Sequence, residues 1–307
     1  MTSRLESVLA FDVGGSHVSA ALCRADDYAL GSVSSEPLPA EQTSASFTDL
    51  LHRLARNAGY ARDLVAGAML AVPGPFDLEA GISRMQHKLP YLYGIDLRHE
   101  LAIRLDCEPC RIRFLNDADA FLLGEVGAGA ARGVARAAGL TLGTGIGSAF
   151  AVHGRLIHHG PGVPPDGEIW NLPYEGGIVE DFISTRAIVA SYKRATGMER
   201  QVVDIAAAAP IDPAARAAFD EMGRHLGQVI HSLLGEFRPD VVVLGGGIAR
   251  SAPLFLPSAQ GVVPRSSTLL RTSELLDRAP RAGCGVAWFQ RKSEELSSEA
   301  SPAGSVL

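Results

Sequence analysis

The pair Asn116 and Asp117 stands at a junction where a carboxylate can do chemistry. Residues 111–115 have the pattern of a short strand, and residues 117–126 have the apolar spacing of a helix. A carboxylate at the end of a strand lies in the crevice outside the sheet, where α/β proteins bind ligands. The alternative is that one of the two side chains only caps the helix, because Asn and Asp both accept hydrogen bonds from the first N–H groups.

A glycine-rich turn near the start of the sequence has the composition of a phosphate-binding loop. Residues 7–23 predict two strands joined by a tight turn that contains Gly14 and Gly15, followed by Ser16. Glycine lacks Cβ and adopts positive φ, so the N–H groups of such a turn can touch a phosphate. Asp12 is placed to hold a water bound to Mg²⁺. An ordinary glycine hairpin is the alternative for this segment taken alone.

A second copy of the strand-turn-strand pattern occupies residues 139–152. Residues 12–16 (DVGGS) align with residues 141–145 (TLGTG), so Thr144 and Gly145 occupy the turn that matches Gly15 and Ser16. Two turns of one plan are harder to obtain by coincidence than one, which favours phosphate binding over plain hairpins. The repeat predicts two related lobes that each offer a glycine turn to a shared cleft.

Two further glycine turns follow apolar runs. Residues 64–72 predict a buried strand that leads into a rigid turn at Gly74, which presents backbone at the carboxyl edge of the strand. A plain Pro-Gly turn is the alternative there. Residues 240–244 predict a fully buried strand, and the turn after it lets a flat ring or a ribose lie against the main chain. The glycines of that turn are Gly245, Gly246 and Gly247.

Carboxylates and an amide lie beside glycines and an aromatic residue at 166–171 (DGEIWN) and at 175–181 (EGGIVED). This mixture of groups is used to hydrogen-bond the several hydroxyls of a sugar. Solvated loop charge is the alternative. A helix is predicted from 180 to 192, and a long amphipathic helix is predicted over 213–237.

The composition is that of a soluble globular protein. The net charge is −6 and the basic residues are scattered, which argues against nucleic acid or anionic membrane as a partner. The sequence shows no apolar run of the roughly 20 residues that cross a bilayer and no signal peptide, so we expect a cytoplasmic protein. Four cysteines fit a reducing compartment, and Cys107 and Cys110 lack the second ligand pair of a zinc site.

Strands and helices in this mixture predict an α/β fold with a central sheet. A length of 307 residues suits two domains of ordinary size. The predicted smaller lobe comprises residues 1–116 and a returning C-terminal helix within 285–307, and the predicted larger α/β lobe comprises residues 117–284.

The order of these motifs resembles that of the ROK family of bacterial sugar kinases over nearly all of residues 7–290. That resemblance implies a two-lobed actin-like ATPase (ribonuclease H-like) fold with a cleft between the lobes. Each motif is short, and their order makes the resemblance specific. The matching segments are FDVGGS at 11–16, VPGPFD at 72–77, LNDADA at 115–120, LGTGIGSA at 142–149, GEI at 167–169, EDFIS at 180–184 and VVLGGGIA at 242–249.

The resemblance implies a glucokinase-like enzyme that uses ATP and Mg²⁺ to phosphorylate a hexose or an N-acetylhexosamine. Asp117 would take the proton of the attacking hydroxyl, and Asp12 would serve Mg²⁺ through water. The family commonly forms dimers, so we expect a homodimer. The sugar-binding residues would be Gly74, Asn116, Glu168, Asn171 and Glu180, and the residues that hold the donor would be Gly14, Gly15, Ser16, Thr144, Gly145, Gly245, Gly246 and Gly247.

One segment departs from the family pattern. Zinc-containing members have GEIGH followed by CxCGxxGCxE, whereas positions 170 and 171 here are Trp170 and Asn171 and the loop that follows is shorter. No cysteine occurs between Cys110 and Cys284. We therefore expect no structural zinc, and we expect Asn171 to replace the missing histidine as a hydrogen-bond donor to the sugar.

Two alternatives to an ATP-dependent kinase stay open. Zinc-free relatives include polyphosphate glucokinases that share the GTGIGSA turn, so polyphosphate is an alternative donor. The altered segment around Asn171 also allows a sugar- or nucleotide-binding protein that lacks turnover. The transcription repressors of the family carry an N-terminal helix-turn-helix, whereas the first strand here begins at about Val8, so we expect no repressor role.

Overall fold

The structure is a computed structural model that describes residues 7–39, 41–264 and 268–299. The chain divides into two compact units, one formed by the chain up to residue 127 together with the chain from residue 280 onward, and the other by residues 128–279. Each unit has a five-stranded mixed sheet. No helix in the described part of the chain combines the length and the apolar composition needed to cross a membrane.

Strands and helices follow one another in both units, as the sequence predicts. In chain order they are β1 (Ser7–Val13), β2 (His17–Arg24), β3 (Ser34–Pro37), α1 (Ser44–Asn57), β4 (Val65–Val72), β5 (Phe76–Asp77), β6 (Ile82–Ser83), α2 (Leu97–Leu105), β7 (Ile112–Asn116), α3 (Asp117–Ala128), β8 (Arg136–Leu142), β9 (Ile146–Val152), β10 (Arg155–Leu156), β11 (Pro173–Tyr174), β12 (Gly177–Ile178), α4 (Val179–Phe182), α5 (Thr185–Thr196), α6 (Val202–Ala208), α7 (Pro213–Leu233), β13 (Val241–Gly245), α8 (Ala252–Val262), β14 (Leu269–Thr272) and α9 (Ala279–Glu299). Short 3₁₀ turns connect several of them.

In the first unit, β1 pairs antiparallel with β2 and parallel with β4, which pairs parallel with β7. Side chains alternate across each strand. Leu9 and Phe11 therefore pack with α1 and α2 on one face, whereas Val8 and Ala10 pack with α3 and α9 on the other. Because β1, β4 and β7 run in the same direction, their carboxyl ends lie at one edge of the sheet.

The second unit repeats this plan. Strand β8 pairs antiparallel with β9 and parallel with β13, which pairs parallel with β14. Helix α7 buries an apolar stripe that includes Phe219, Met222 and Leu226 in the core of this unit. Strand β13 is buried along its whole length, as its apolar run predicts. The internal repeat of the sequence is therefore a repeat of structure, with a strand-turn-strand pair at the start of each sheet.

The two long helices predicted in the second unit have different bounds in the structure. The helix predicted over 180–192 is two helices, α4 and α5, because Ser184 has extended backbone and its Oγ caps α5 by accepting from Ala187 N at 3.4 Å. Helix α7 starts after the cap residue Asp212, as predicted, and ends at Leu233 rather than at residue 237.

The sequence divides the domains at 116/117 and 284/285, whereas the structure changes unit at 127/128 and 279/280. The difference has a packing cause. Ala120 of α3 lies in one buried cluster with Cys284 and Trp288 of α9, so both helices cover the same face of the first sheet. The ends of the predicted first domain, residues 1–6 and 300–307, lie outside the described residues.

Candidate active site

Three of the predicted site segments meet at the carboxyl edge of the first sheet. The first glycine turn follows β1, Gly74 follows β4, and Asn116 with Asp117 follows β7. Neighbouring strands lie about 5 Å apart, so the glycine turn is separated from Asp117 by roughly two strand spacings, or about 10 Å. This edge therefore combines a carboxylate, an amide and two turns of accessible backbone.

The side chains of Asn116 and Asp117 have different roles at the start of α3. Asn116 Oδ1 accepts from the backbone N–H groups of Ala118 at 2.9 Å and Asp119 at 3.4 Å, so Asn116 caps the helix. Its Nδ2 lies near the turn after β4, because a Cβ built on Gly74 would be 4.0 Å from it. Asp117 is the half-buried first residue of α3, and its Oδ1 accepts from Ala118 N at 2.8 Å. The helix start thus positions the Asp117 carboxylate as well.

A pocket of about 360 Å³ adjoins the turn after β4. Gly74 and Pro75 form one wall, and residues 84–88 form the rest. The volume is within the range of pockets that bind small molecules. The predicted sugar contact Gly74 therefore lies at a concave surface of the first unit.

The first glycine turn presents backbone to solvent. Gly14 N donates to His17 O at 2.9 Å, and Gly15 and Ser16 are exposed. A Cβ built on Gly15 would meet no heavy atom of the described chain within 4 Å outside the neighbouring residues. An anion can therefore approach the main chain of this turn closely.

A buried cation stands beside Asp12, below this turn. Arg281 of α9 is only 4% exposed, and its Nη1 lies 3.8 Å from Asp12 Oδ2 and donates to Ser19 Oγ. Charged side chains are rarely buried unless they are paired, so the pairing explains the burial. Arg281 is not among the site residues predicted from the sequence. The available signal was an arginine inside the otherwise apolar stretch 279–289.

Glu180 packs directly against the second glycine turn. A Cβ on Gly145 would overlap Glu180 Oε2, so only glycine leaves this carboxylate in place. The same oxygen accepts from Ile146 N at 3.3 Å, and Oε1 accepts from Arg186 Nη2 at 2.9 Å. Both carboxylate oxygens of Glu180 thus accept bonds from the protein, whereas Thr144 at the tip of the turn is exposed.

The segment 167–171 is fixed on β9. Ser148 Oγ donates to Gly167 O at 2.6 Å and accepts from Ile169 N at 3.1 Å. The Ile169 side chain is fully buried, which anchors the middle of the segment in the core. The exposed residues of the segment are Glu168, Trp170 and Asn171.

Trp170 contacts both glutamates that the sequence assigns to the sugar, Glu168 through its carboxylate and Glu180 through its backbone. Its indole Nε1 donates to Glu168 Oε2 at 2.7 Å, and its backbone oxygen accepts from Glu180 N at 3.0 Å. Glu168 and Glu180 therefore both contact Trp170, the residue that precedes Asn171. No contact of Trp170 is predicted from the sequence, because a sequence pattern does not give the direction of a loop side chain.

The hairpin β11–β12, between Asn171 and Glu180, is anchored on α7. The Tyr174 hydroxyl lies 2.8 Å from His225 Nδ1 and donates to Gln228 Oε1 at 2.5 Å. Burial lowers the pKa of His225 below its ordinary value, so the imidazole is mostly neutral at pH 7. The hairpin is therefore held by side-chain contacts at its first strand.

The third glycine turn adjoins an apolar pocket in the second unit. Gly246 has a φ of +81°, and a Cβ there would overlap the backbone of Leu142 at the end of β8. Beyond the turn lies a pocket of about 720 Å³, a volume typical of small-molecule sites. Arg250, which lines this pocket, forms an exposed ion pair with Asp277. Residues that line it include Ala249, Pro253, Leu256, Thr272 and Ser273.

The cysteine, histidine and acidic side chains are the candidate metal ligands of the chain. The ranges 7–39, 41–264 and 268–299 contain no group of three or more His, Cys, Asp or Glu side chains placed to hold a metal ion. Burial raises the pKa of Cys107, and it raises the pKa of Cys23 to about 12, so these thiols are protonated at neutral pH.

The sequence and the fold are both similar to those of known proteins. The sequence profile of the ROK family matches residues 8–270. A glucokinase of Thermotoga maritima is 29% identical over 285 residues, which cover 83% of this chain and 87% of that protein.

Crystal structures of two further proteins have the same fold. A ROK hexokinase from Thermus thermophilus has a TM-score of 0.74 at 25% identity, with 94% of this chain and 99% of that chain covered. A ROK family glucokinase from Streptomyces griseus, in complex with glucose and AMPPNP, has a TM-score of 0.74 at 20% identity, with 91% and 98% covered. These likenesses confirm the predicted α/β fold of the actin-like ATPase class.

Proposed function

The chain belongs to the ROK family, and from that premise we propose that it is an ATP-dependent sugar kinase. It transfers the γ-phosphoryl group of ATP to a hydroxyl of a hexose or an N-acetylhexosamine. The similarity to a glucokinase and to a hexokinase supports sugar phosphorylation, and the relative that binds AMPPNP supports ATP as the donor.

The observation that carries the proposal is the arrangement at the carboxyl edge of the first sheet. Asp117 begins α3 at this edge, Asn116 and Gly74 lie beside it, and the first glycine turn is about two strands away. A binding protein needs groups that hold a sugar. It does not need a carboxylate on the same edge as a phosphate-binding turn, whereas phosphoryl transfer to a hydroxyl requires both.

In the proposed reaction, Asp117 is the general base. The attacking sugar hydroxyl gives its proton to the Asp117 carboxylate as its oxygen bonds to the γ-phosphorus. The bond between the γ-phosphorus and the bridging oxygen breaks, and ADP leaves with the electron pair. A positioned base contributes about 10² to 10⁴-fold to the rate, and positioning with charge neutralisation supplies most of the rest.

The residues around the first turn fit Mg²⁺ bound through water. Mg²⁺ prefers oxygen ligands and keeps several of its waters, and it would neutralise charge on the phosphates. Asp12 supplies a carboxylate at the turn, and the guanidinium of Arg281 already lies 3.8 Å from one of its oxygens. A carboxylate with a cation so close suits contact through a water better than direct coordination.

The remaining predicted residues divide between the donor and the sugar. We assign the pocket beyond Gly246 to the adenosine group, since it is apolar and follows the third glycine turn. Glu168 and Asn171 are exposed and suited to sugar hydroxyls. Glu180 accepts bonds from Ile146 and Arg186, so we assign it first to holding the second turn, with its remaining lone pairs left for the sugar.

An ADP-release assay with ATP and Mg²⁺ over a panel of hexoses and N-acetylhexosamines tests the proposal. Sugar phosphate is detected directly, the panel is repeated with polyphosphate, and a mock preparation from host cells that do not express the protein serves as the blank for contaminating kinases. We expect one sugar to give equal amounts of ADP and sugar phosphate. If phosphoryl transfer occurs only with polyphosphate, the donor is polyphosphate and not ATP. Sugar-dependent thermal stabilisation without any turnover would show a binding protein instead.

A further inference from the structure

Trp170 is a large aromatic side chain that the fold leaves exposed. Its exposed fraction is 39%, whereas Ile169 before it is fully buried and fixes the backbone in the core. Two hydrogen bonds through Ser148 Oγ hold the segment on β9. The indole is thus presented to solvent from a rigid position, not from a loose loop end.

The indole N–H of Trp170 already donates a hydrogen bond within the protein. Nε1 donates to Glu168 Oε2 at 2.7 Å, the length of a charge-assisted bond. The backbone oxygen of the same residue accepts from Glu180 N at 3.0 Å. These bonds fix the orientation of the ring and leave the apolar ring surface as the part that can meet a ligand. They also place that surface beside a carboxylate.

An aromatic face beside a carboxylate is suited to a pyranose. The π-face is electronegative and attracts C–H groups, while the carboxylate accepts from hydroxyls at the edge of the sugar. A pyranose whose hydroxyls are equatorial presents a flat face of axial C–H groups. An axial hydroxyl on that face would lift the sugar from the ring and lose its hydrogen bonds to water.

We propose that Trp170 is a specificity-determining residue that stacks on the face of a gluco-configured pyranose that carries the axial hydrogens of C2 and C4, while its indole N–H orients Glu168. This inference rests on the proposed function, since it names the class of sugar that the kinase takes. It selects D-glucose or N-acetyl-D-glucosamine over epimers with an axial ring hydroxyl, such as D-mannose and D-galactose.

Two substitutions separate the ring from its N–H group. Trp170→Ala removes both, and we expect it to raise the KM for the preferred sugar about 10 to 100-fold and to lower the preference over D-mannose about 10-fold. Trp170→Phe keeps a ring but loses the bond to Glu168, so the KM rises less, by about 3 to 10-fold. The KM for ATP stays within twofold in both. Met198→Ala, at an exposed apolar residue of the same unit, is the matched control.

Binding is measured separately by acrylamide quenching of tryptophan emission, without ATP. Trp170 is exposed and the other tryptophan, Trp288, is buried, so quencher reports mainly on Trp170. We expect D-glucose or N-acetyl-D-glucosamine to protect the quenchable emission, D-mannose to protect it less, and the Trp170→Phe protein to show no sugar effect.

The two readouts distinguish failure of this inference from failure of the proposed function. Protection without phosphoryl transfer would retain the role of Trp170 and reject the kinase. Transfer with an unchanged KM and an unchanged epimer preference in Trp170→Ala would reject the role of Trp170 and retain the kinase. Transfer without protection of the emission would also reject stacking. Absence of both transfer and protection would reject both proposals.

Discussion

Asp117→Asn is the substitution that separates chemistry from binding most cleanly in this molecule. Asn has nearly the same shape as Asp, and its Oδ1 can still accept from Ala118 N, as Asp117 Oδ1 does at 2.8 Å. The helix cap is unaffected, because it is supplied by Asn116. What is lost for folding is a negative charge in the first turn of α3, worth about 0.3–1 kcal/mol. We therefore expect the melting temperature to fall by no more than about 4 °C.

The expected effect on the reaction is much larger. A positioned base contributes about 10² to 10⁴-fold, which corresponds to about 2.7–5.4 kcal/mol of activation free energy. The amide of Asn cannot accept the proton of the attacking hydroxyl, so kcat falls by this factor. It can still hydrogen-bond that hydroxyl, so the dissociation constant of the sugar stays within about threefold.

The assay pairs turnover with calorimetry. ADP release gives kcat, and isothermal titration with the preferred sugar gives its dissociation constant. The matched control is Asp96→Asn, the same change at the start of α2, where Asp96 Oδ1 accepts from His99 N at 2.9 Å. We expect the control to keep its turnover. If Asp117→Asn keeps kcat within threefold of the unchanged protein, Asp117 is not the base.

Three further predictions concern folding and reactivity. Gly145→Ala should displace the Glu180 carboxylate, which is the movable end of a flexible side chain, and weaken AMPPNP binding by less than about 10-fold in a titration; a larger loss would show that the turn itself is distorted. Arg281→Met should lower the free energy of unfolding of the first unit by about 1–3 kcal/mol in urea titrations, whereas Arg53→Met, at an exposed ion pair of the same unit, should change it by under about 1 kcal/mol. Burial raises the pKa of Cys23 to about 12, which leaves only about 10⁻⁴ of it as thiolate at pH 8, and burial raises the pKa of Cys284 as well. Maleimide should therefore label the exposed cysteine in the folded protein and leave these two unlabelled until urea is added, and rapid labelling of the two buried thiols would contradict their burial. The exposed cysteine is Cys110, and the buried ones are Cys23 and Cys284.

The parts of the fold that could be predicted are those where one local rule decides. The strand-turn-strand pairs are visible because apolar runs must be buried and paired glycines mark a turn. Strand β13 is visible because every residue of 241–244 is apolar, which suits a parallel strand buried on both faces. The helix division at Ser184 rests on a local serine cap that the apolar spacing of 180–192 does not reveal. The unit boundary after α3 depends on tertiary contacts with α9, which no local pattern contains.

The candidate site shows the same limit. Asp117 could be identified because a strand end and a helix start coincide there, and this junction exists in the chain itself. The contacts of Arg281 and Trp170 could not, because one joins residues far apart in sequence and the other depends on a loop rotamer. The sequence did contain two unusual features, an arginine within an apolar stretch and a tryptophan two residues after a glutamate.

The two glycine turns are built from different residues but share one electrostatic arrangement. Below the first turn, Asp12 is paired with Arg281, and against the second turn, Glu180 is paired with Arg186. A lone carboxylate at either turn would repel a phosphate, and each guanidinium offsets that repulsion. The pairs differ in exposure, because the Arg186 side chain is 66% exposed and Arg281 is buried. Salt screens exposed charges far more than buried ones. As ionic strength rises, the electrostatic effect of Arg186 at the second turn should therefore weaken more than that of Arg281 at the first turn.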